Sequence, residues 1–227
     1  MIVNFLIYFV IMQTKINSNE VPAAIVGLGL MGCSITTCLL MAGHKVIAVA
    51  SLPIDLLHAE ERIHDHLLRS RQEGLVNHPP EYYFNNLIIT DDYAQLKDCK
   101  LVIECTLENI DIKKTVYQKI EAVISKDAIL TTNTSAIPIS ILQKETQYPE
   151  RFFGLHWTEP SHTTRFLEII CGELSDVEKG EYLYELSHNW GKEPTLVRKD
   201  QGFHHQPHHV CDVPGSHQPC GEWLCNR

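Results

Sequence analysis

One stretch limits the fold more than any other: Ala23 to Ala50, AAIVGLGLMGCSITTCLLMAGHKVIAVA. An apolar run, Ala24-Ile25-Val26, ends in Gly27-Leu28-Gly29-Leu30-Met31-Gly32. Helical spacing follows to Ala42, Gly43 stops it, and Lys45 to Val49 is a second apolar run. Strand, glycine turn, helix and strand, in that order, make a dinucleotide-binding unit. Gly27 allows the tight turn, Gly29 lets the backbone approach a pyrophosphate, and Gly32 lets the helix pack close to the strand. Leu28, Leu30 and Met31 complete that backbone, whose free N–H groups at the helix start hold phosphates. A glycine pattern alone is weak evidence, but here both flanking strands and the Gly43 stop accompany it.

The second strand of such a unit usually ends in an acid that binds the ribose 2′-OH, while a nearby Arg accommodates a 2′-phosphate. Here the strand runs into Val49-Ala50-Ser51, with no acid before Asp55 and no Arg beside it. NAD is the default cofactor, and the residues leave NADP open.

Composition closes off other classes. The 227 residues suffice for one domain or one and a half. With 44% hydrophobic and 21% charged residues the balance is that of a soluble protein. A net charge of -9 argues against nucleic acid and anionic membrane surfaces as partners. Cys33, Cys38, Cys99, Cys105 and Cys171 lie singly in apolar stretches, as buried thiols do, and no CxxC pair occurs. A reducing, cytoplasmic location follows as the expectation. Residues 1–12, MIVNFLIYFVIM, fall short of the roughly 20 residues that span a bilayer. They also lack the basic region and cleavage site of a signal peptide. Residues 1–22 are therefore expected to be a disordered extension, with Met12 the true start.

Strands and helices alternate through the middle of the chain. Helical spacing covers Ile54 to Glu73 (Ile54, Leu57, Ile63, Leu67, Leu68), with His58, His64 and His66 expected on its solvated face. Asn77-His78-Pro79-Pro80 breaks the chain. Strands are predicted at 87–90, 100–106, 128–131, 152–157, 166–171 and 195–198, and a helical turn at 93–96. Helices are predicted at 110–124 (stripe Ile112, Val116, Ile120, Val123), at 138–144, and from the capping box Ser175-Asp176-Val177-Glu178 to Trp190. The fold class is α/β, with a doubly wound, largely parallel Rossmann-type sheet. Ligands bind such sheets at the carboxyl ends of the strands, where Glu108, Asn133, Ser135 and His156 all fall. Each could equally be a cap or turn residue. His156 is the side chain suited to moving a proton near pH 7, and Glu168 on the next strand could hold its imidazole. A hydride leaving an alcohol for nicotinamide needs such a base for the hydroxyl proton.

These residues, taken together, resemble the 3-hydroxyacyl-CoA dehydrogenases over about Ala23 to Phe203. The motifs are IVGLGLMG at 25–32, VIECTLENIDIKK at 102–114, TTNTSAIPIS at 131–140 and PERFFGLHWTEP at 149–160. FLEII at 166–170 and the start of KDxGF at Lys199 complete the set. The resemblance implies an NAD-dependent oxidation of the 3-hydroxyl of an acyl-CoA, chemistry of fatty acid β-oxidation, in a dimeric enzyme. It implies His156 as catalytic base, Glu168 as its partner and Ser135 at the substrate hydroxyl. Glu108, Lys113 and Asn133 would line the nicotinamide and ribose part of the site.

The chain departs from the family pattern in three places. Ala50 replaces the acid of the second strand. Glu159 replaces an Asn after the histidine, followed by the polar Ser161-His162-Thr163-Thr164-Arg165. A smaller 3-hydroxy acid, as in the carnitine-dehydrogenase-like branch, therefore stands beside an acyl-CoA as substrate. The third departure is residues 204–227, HHQPHHVCDVPGSHQPCGEWLCNR, where the family continues into an Asn-Arg helix and a helical domain. The tail concentrates His and Cys without paired metal-ligand spacing, so no metal site is assigned. Reverse-translated one nucleotide out of phase, Phe203 onward can read FITNRIMYAMYREAISLVENGYAT, which restores the Asn-Arg pair. A frameshift after Phe203 is the expectation, leaving a domain at 23–203 without the helical domain that completes the pocket and dimer, and with low or absent activity expected of the chain as it stands. The competing reading is a non-catalytic NAD-binding fragment.

Overall fold

The computed structural model describes residues 16–197. Its eight strands are β1 (Ala23–Val26), β2 (Val46–Val49), β3 (Leu87–Thr90), β4 (Leu101–Glu104), β5 (Ile129–Thr132), β6 (Phe152–Trp157), β7 (Phe166–Cys171) and β8 (Glu193–Val197). They form one sheet in the order β3-β2-β1-β4-β5-β6-β7-β8. All neighbours are parallel except β6 and β7, which pair antiparallel. Chain order reverses beside β1, between the crossovers to β2 and to β4, which is where a doubly wound sheet opens its ligand crevice.

The central strands read as unbroken apolar runs because both faces are covered. Ala23 and Ile25 join a core on one face, while Ala24 and Val26 join a second core on the other. Helix α1 (Leu30–Met41) closes the first face and is buried continuously from Gly32 to Leu40. Helix α2 (Pro53–Gln72) packs beside it through Ala59, Ile63 and Leu67. Helix α3 (Pro80–Phe84) starts at the prolines expected only to break the chain, since Pro is well placed in a first helical turn. Helix α4 (Ile110–Glu121) closes the second face, followed by the short α5 (Ile139–Leu142), and α6 (Val177–His188) returns to the first.

Four expectations need correcting. Residues 16–22 belong to the folded domain: Asn17 caps a short 3-10 turn, Val21 is buried, and the Ile16 carbonyl accepts from Asn189. The buried face of α4 keeps Val116 and Ile120 but widens toward Lys113, Tyr117 and Glu121, leaving Ile112 exposed. On α2, Ile54, Leu57 and Leu68 are exposed, and His66 is half-buried rather than solvated. Asp176, not Ser175, caps α6 by accepting from the Lys179 N–H at 3.0 Å, because the Ser175 hydroxyl donates to the Phe152 carbonyl at 2.6 Å. Met12, Lys199, Phe203 and the His- and Cys-rich tail lie outside the described residues. Among the described residues, no helix is long and apolar enough to cross a membrane.

Candidate active site

The glycine turn joins β1 to α1 at the reversal point. Gly27 has φ +100, and a Cβ there would lie 2.7 Å from the Cys105 carbonyl oxygen, in the turn after β4. A Cβ on Gly32 would lie 1.8 Å from the Gly27 oxygen, so helix and strand meet at a distance only glycine allows. Above Gly29 the space is open, with no atom within 4 Å of where a Cβ would stand. Gly29 is also the N-cap of α1 and supplies no side-chain cap, which leaves the first N–H groups of Leu30 and Met31 available. These features fit a dinucleotide pyrophosphate at a helix N-terminus.

Register builds the second centre. The antiparallel pairing of β6 and β7 sets His156 directly opposite Glu168, and His156 Nδ1 donates to Glu168 Oε2 at 2.8 Å. That bond fixes the tautomer with the lone pair on Nε2, where the Ser135 hydroxyl donates at 3.1 Å. Side-chain exposure is 26% for His156 and 34% for Glu168, so the pair faces the open edge. Asn133 follows β5, and its Oδ1 accepts from the Trp157 N–H at 3.0 Å, pinning the backbone beside His156.

Glu108 crosses from the turn after β4 to the turn after β5. Its Oε1 accepts from the Thr134 hydroxyl and from the N–H groups of Ser135 and Ala136, at 3.1 and 3.0 Å. Burial pushes its carboxyl up, but the bonds from Thr134 and Ala136, the charge of Lys113 and the bond from Ser135 outweigh this and hold it below the usual carboxylate value. Lys113 is fully buried and lies 3.5 Å from Glu108 Oε2, so it reaches the site through that carboxylate.

A residue that no sequence motif singles out anchors this part. Glu104 ends β4 with no exposed surface and binds Lys113 Nζ through both oxygens, at 3.0 and 2.9 Å. Tyr117, Thr132 and both the N–H and hydroxyl of Thr106 also donate to it. The sequence does carry a signal for it: an acid inside the apolar run KLVIECT requires a buried partner.

A further cluster holds the β6–β7 connection. Ser34 on α1 accepts from the Ser161 N–H at 2.8 Å and contacts His162 Nδ1 at 3.2 Å. The His162 ring stacks on His66 at 4.7 Å. Lys192 donates to the carbonyls of Ser161 and Thr164.

The description "3-hydroxyacyl-CoA dehydrogenase, NAD binding domain" matches residues 22–201. The chain belongs to this family. It is 33% identical over 178 residues to 5-formyl-3-hydroxy-2-methylpyridine 4-carboxylate 5-dehydrogenase of Mesorhizobium japonicum, covering 78% of this chain and 57% of that relative. To 3-hydroxyadipyl-CoA dehydrogenase of Escherichia coli it is 32% identical over 186 residues, covering 82% of this chain and 39% of the relative. Among solved structures, 3-hydroxybutyryl-CoA dehydrogenase from Escherichia coli superposes with a TM-score of 0.73 at 31% identity, over 78% of this chain and 38% of that one. The chain spans about half the length of the curated relatives it matches. The Rossmann-type fold, the oxidoreductase family and the NAD-binding domain read from the sequence therefore stand.

Proposed function

We propose that the chain is the dinucleotide-binding part of an NAD-dependent dehydrogenase that oxidises the 3-hydroxyl of a 3-hydroxyacyl-CoA or a related 3-hydroxy acid. The observation that carries this reading is the Glu168–His156–Ser135 chain, with its lone pair on Nε2 at the edge of a dinucleotide fold. NAD, when bound, supplies the hydride acceptor. His156 Nε2 takes the proton of the substrate hydroxyl, exchanging its bond from Ser135 for one from the substrate. Glu168 stabilises the resulting imidazolium and keeps the ring oriented. Ser135, released from Nε2, is placed to donate to the developing carbonyl oxygen. The backbone of Gly27 to Gly32 would hold the pyrophosphate, with Glu108, Lys113 and Asn133 shaping the nicotinamide and ribose side.

The proposed domain is residues 23–203, extended at its start by the ordered 16–22, with a helical partner domain completing substrate binding and dimerisation. A second reading is a non-catalytic NAD-binding protein that keeps the glycine turn and its open N-terminal N–H groups without turnover. One assay separates the two: oxidation of 3-hydroxybutyryl-CoA by NAD, beside a fluorescence titration with NADH. Turnover that His156→Asn removes, with NADH binding kept, supports the enzyme. NADH binding without turnover supports the non-catalytic reading.

A further inference from the structure

We infer that the cofactor site does not select against a 2′-phosphate, so that it binds NADP(H) comparably with NAD(H). The inference rests on the dinucleotide site alone and is independent of the role given to His156. Strand β2 ends at Val49, whose carbonyl accepts from the Gly27 N–H at 2.8 Å, so the next residue lies beside the glycine turn. In a dinucleotide fold this is the position whose carboxylate binds the ribose 2′-OH and repels a phosphate there. Here it is Ala50, a buried methyl group whose N–H is taken by the Thr90 carbonyl at 2.8 Å. Half-buried Ser51 follows, a small hydroxyl that neither repels a phosphate nor demands a diol.

Two of the acids near this edge are already engaged, and Asp91, exposed just past Thr90, is the remaining carboxylate there. Asp55, in the first turn of α2, has a side chain only 12% exposed and lies 3.5 Å from Arg62. Asp92, beyond β3, accepts from the Ala94 N–H at 2.9 Å and from Gln95 as the cap of the next 3-10 turn. The Asp55–Arg62 pair is balanced in charge, and its cation is the member that touches the turn. Arg62 donates from Nη1 to the Leu28 carbonyl at 3.1 Å, and 41% of its side chain remains exposed. A site whose second strand ends in a buried methyl group in place of the carboxylate lacks the usual means of excluding a 2′-phosphate.

The test is a direct binding titration of the full chain with NADH and with NADPH, read by nicotinamide fluorescence and repeated by calorimetry. The expected result is two dissociation constants within about tenfold of each other. In Ala50→Asp the new carboxylate is expected to weaken NADPH by about tenfold or more while sparing NADH. Because Ala50 is buried, Ser51→Asp carries the same charge on a more tolerant position and serves if Ala50→Asp does not fold. A native preference for NADH of more than about tenfold overturns the inference while leaving the NAD site intact. Failure to bind either nucleotide removes the cofactor site itself and the inference with it.

Discussion

Two carboxylates of the same sheet each hold a nitrogen partner, Glu104 with Lys113 of α4 and Glu168 with His156, and the fold treats the two pairs in opposite ways. Glu104 and Lys113 have no exposed side-chain surface, and donors from Tyr117, Thr132 and Thr106 occupy what Lys113 leaves of the carboxylate. His156 and Glu168 remain 26% and 34% exposed, and the imidazole keeps an edge toward the strand ends. The first pair is saturated and fully buried, so it does not meet a ligand. Its work is to brace β4 against α4 and, through Lys113, to hold Glu108 in its bridge between two turns. The second pair keeps one lone pair bound only by a neighbouring hydroxyl, which the proposed substrate hydroxyl would displace. Saturation separates a framework charge from a working one more clearly than residue type does.

The sharpest way to break this contrast is to remove one member of each pair. Lys113→Met strands the Glu104 charge in the core, and urea unfolding should show a loss of about 3–5 kcal/mol. The double variant with Glu104→Gln should recover much of that loss, because the uncompensated charge is gone. His156→Asn should leave the urea midpoint nearly unchanged while cutting dehydrogenase turnover by about 10²–10⁴-fold. A variant that unfolds as readily as Lys113→Met would assign His156 to the framework instead. Glu168→Gln keeps an acceptor for Nδ1–H but removes the charge that steadies the imidazolium. Turnover should fall by about tenfold to a hundredfold, with nucleotide affinity measured by NADH titration unchanged.

What the sequence displays and what it conceals follow the same division. The glycine turn is legible because its function is local: the backbone of Gly27 to Gly32 needs those residues in that order. His156 is legible as a residue near a strand end and Glu168 as an acid on the next strand, and the antiparallel β6–β7 register is what makes them opposite neighbours. Glu104 is hidden because strand composition says how much is buried but not which lone pairs are satisfied. The widened buried face of α4 has the same origin. An apolar stripe through Ile112 is sensible for an isolated helix, yet the demand of Glu104 for a cation turns Lys113 inward. The periodicity of α2 alone puts His66 in solvent, whereas its position is set by a loop nearly a hundred residues away that delivers His162 onto it. Long-range partners decide these cases, and a local pattern does not contain them.

The His66–His162 stack supplies a third region against which the contrast can be sharpened, because it is titratable without belonging to the proposed catalytic pair. Burial pushes the His162 imidazole down to about 4, reinforced by the positive charges of His66, Lys192 and Arg69. Burial also lowers His66, against the opposing charge of Glu159. In the unfolded chain His162 binds its proton near the ordinary value of 6.5. Between about pH 6.5 and 4 the unfolded state therefore holds more protons than the folded one, and stability falls as the pH drops through that window. The contribution is fully present above the unfolded value and is lost on acidification, the reverse of a histidine that gains a carboxylate partner. His162→Asn should flatten the decline in unfolding free energy between pH 7.5 and pH 5, read by urea unfolding at each pH, by an amount on the order of 1 kcal/mol, discounted because solvent screens a half-buried ring. His66 and His44, also lowered by burial, keep the slope from vanishing. Turnover at pH 7.5 should barely change, since the stack fastens the β6–β7 connection without touching the His156 lone pair. A variant that unfolds with the same acid slope as the native chain, or that loses turnover as steeply as His156→Asn, would place the stack on the other side of the comparison.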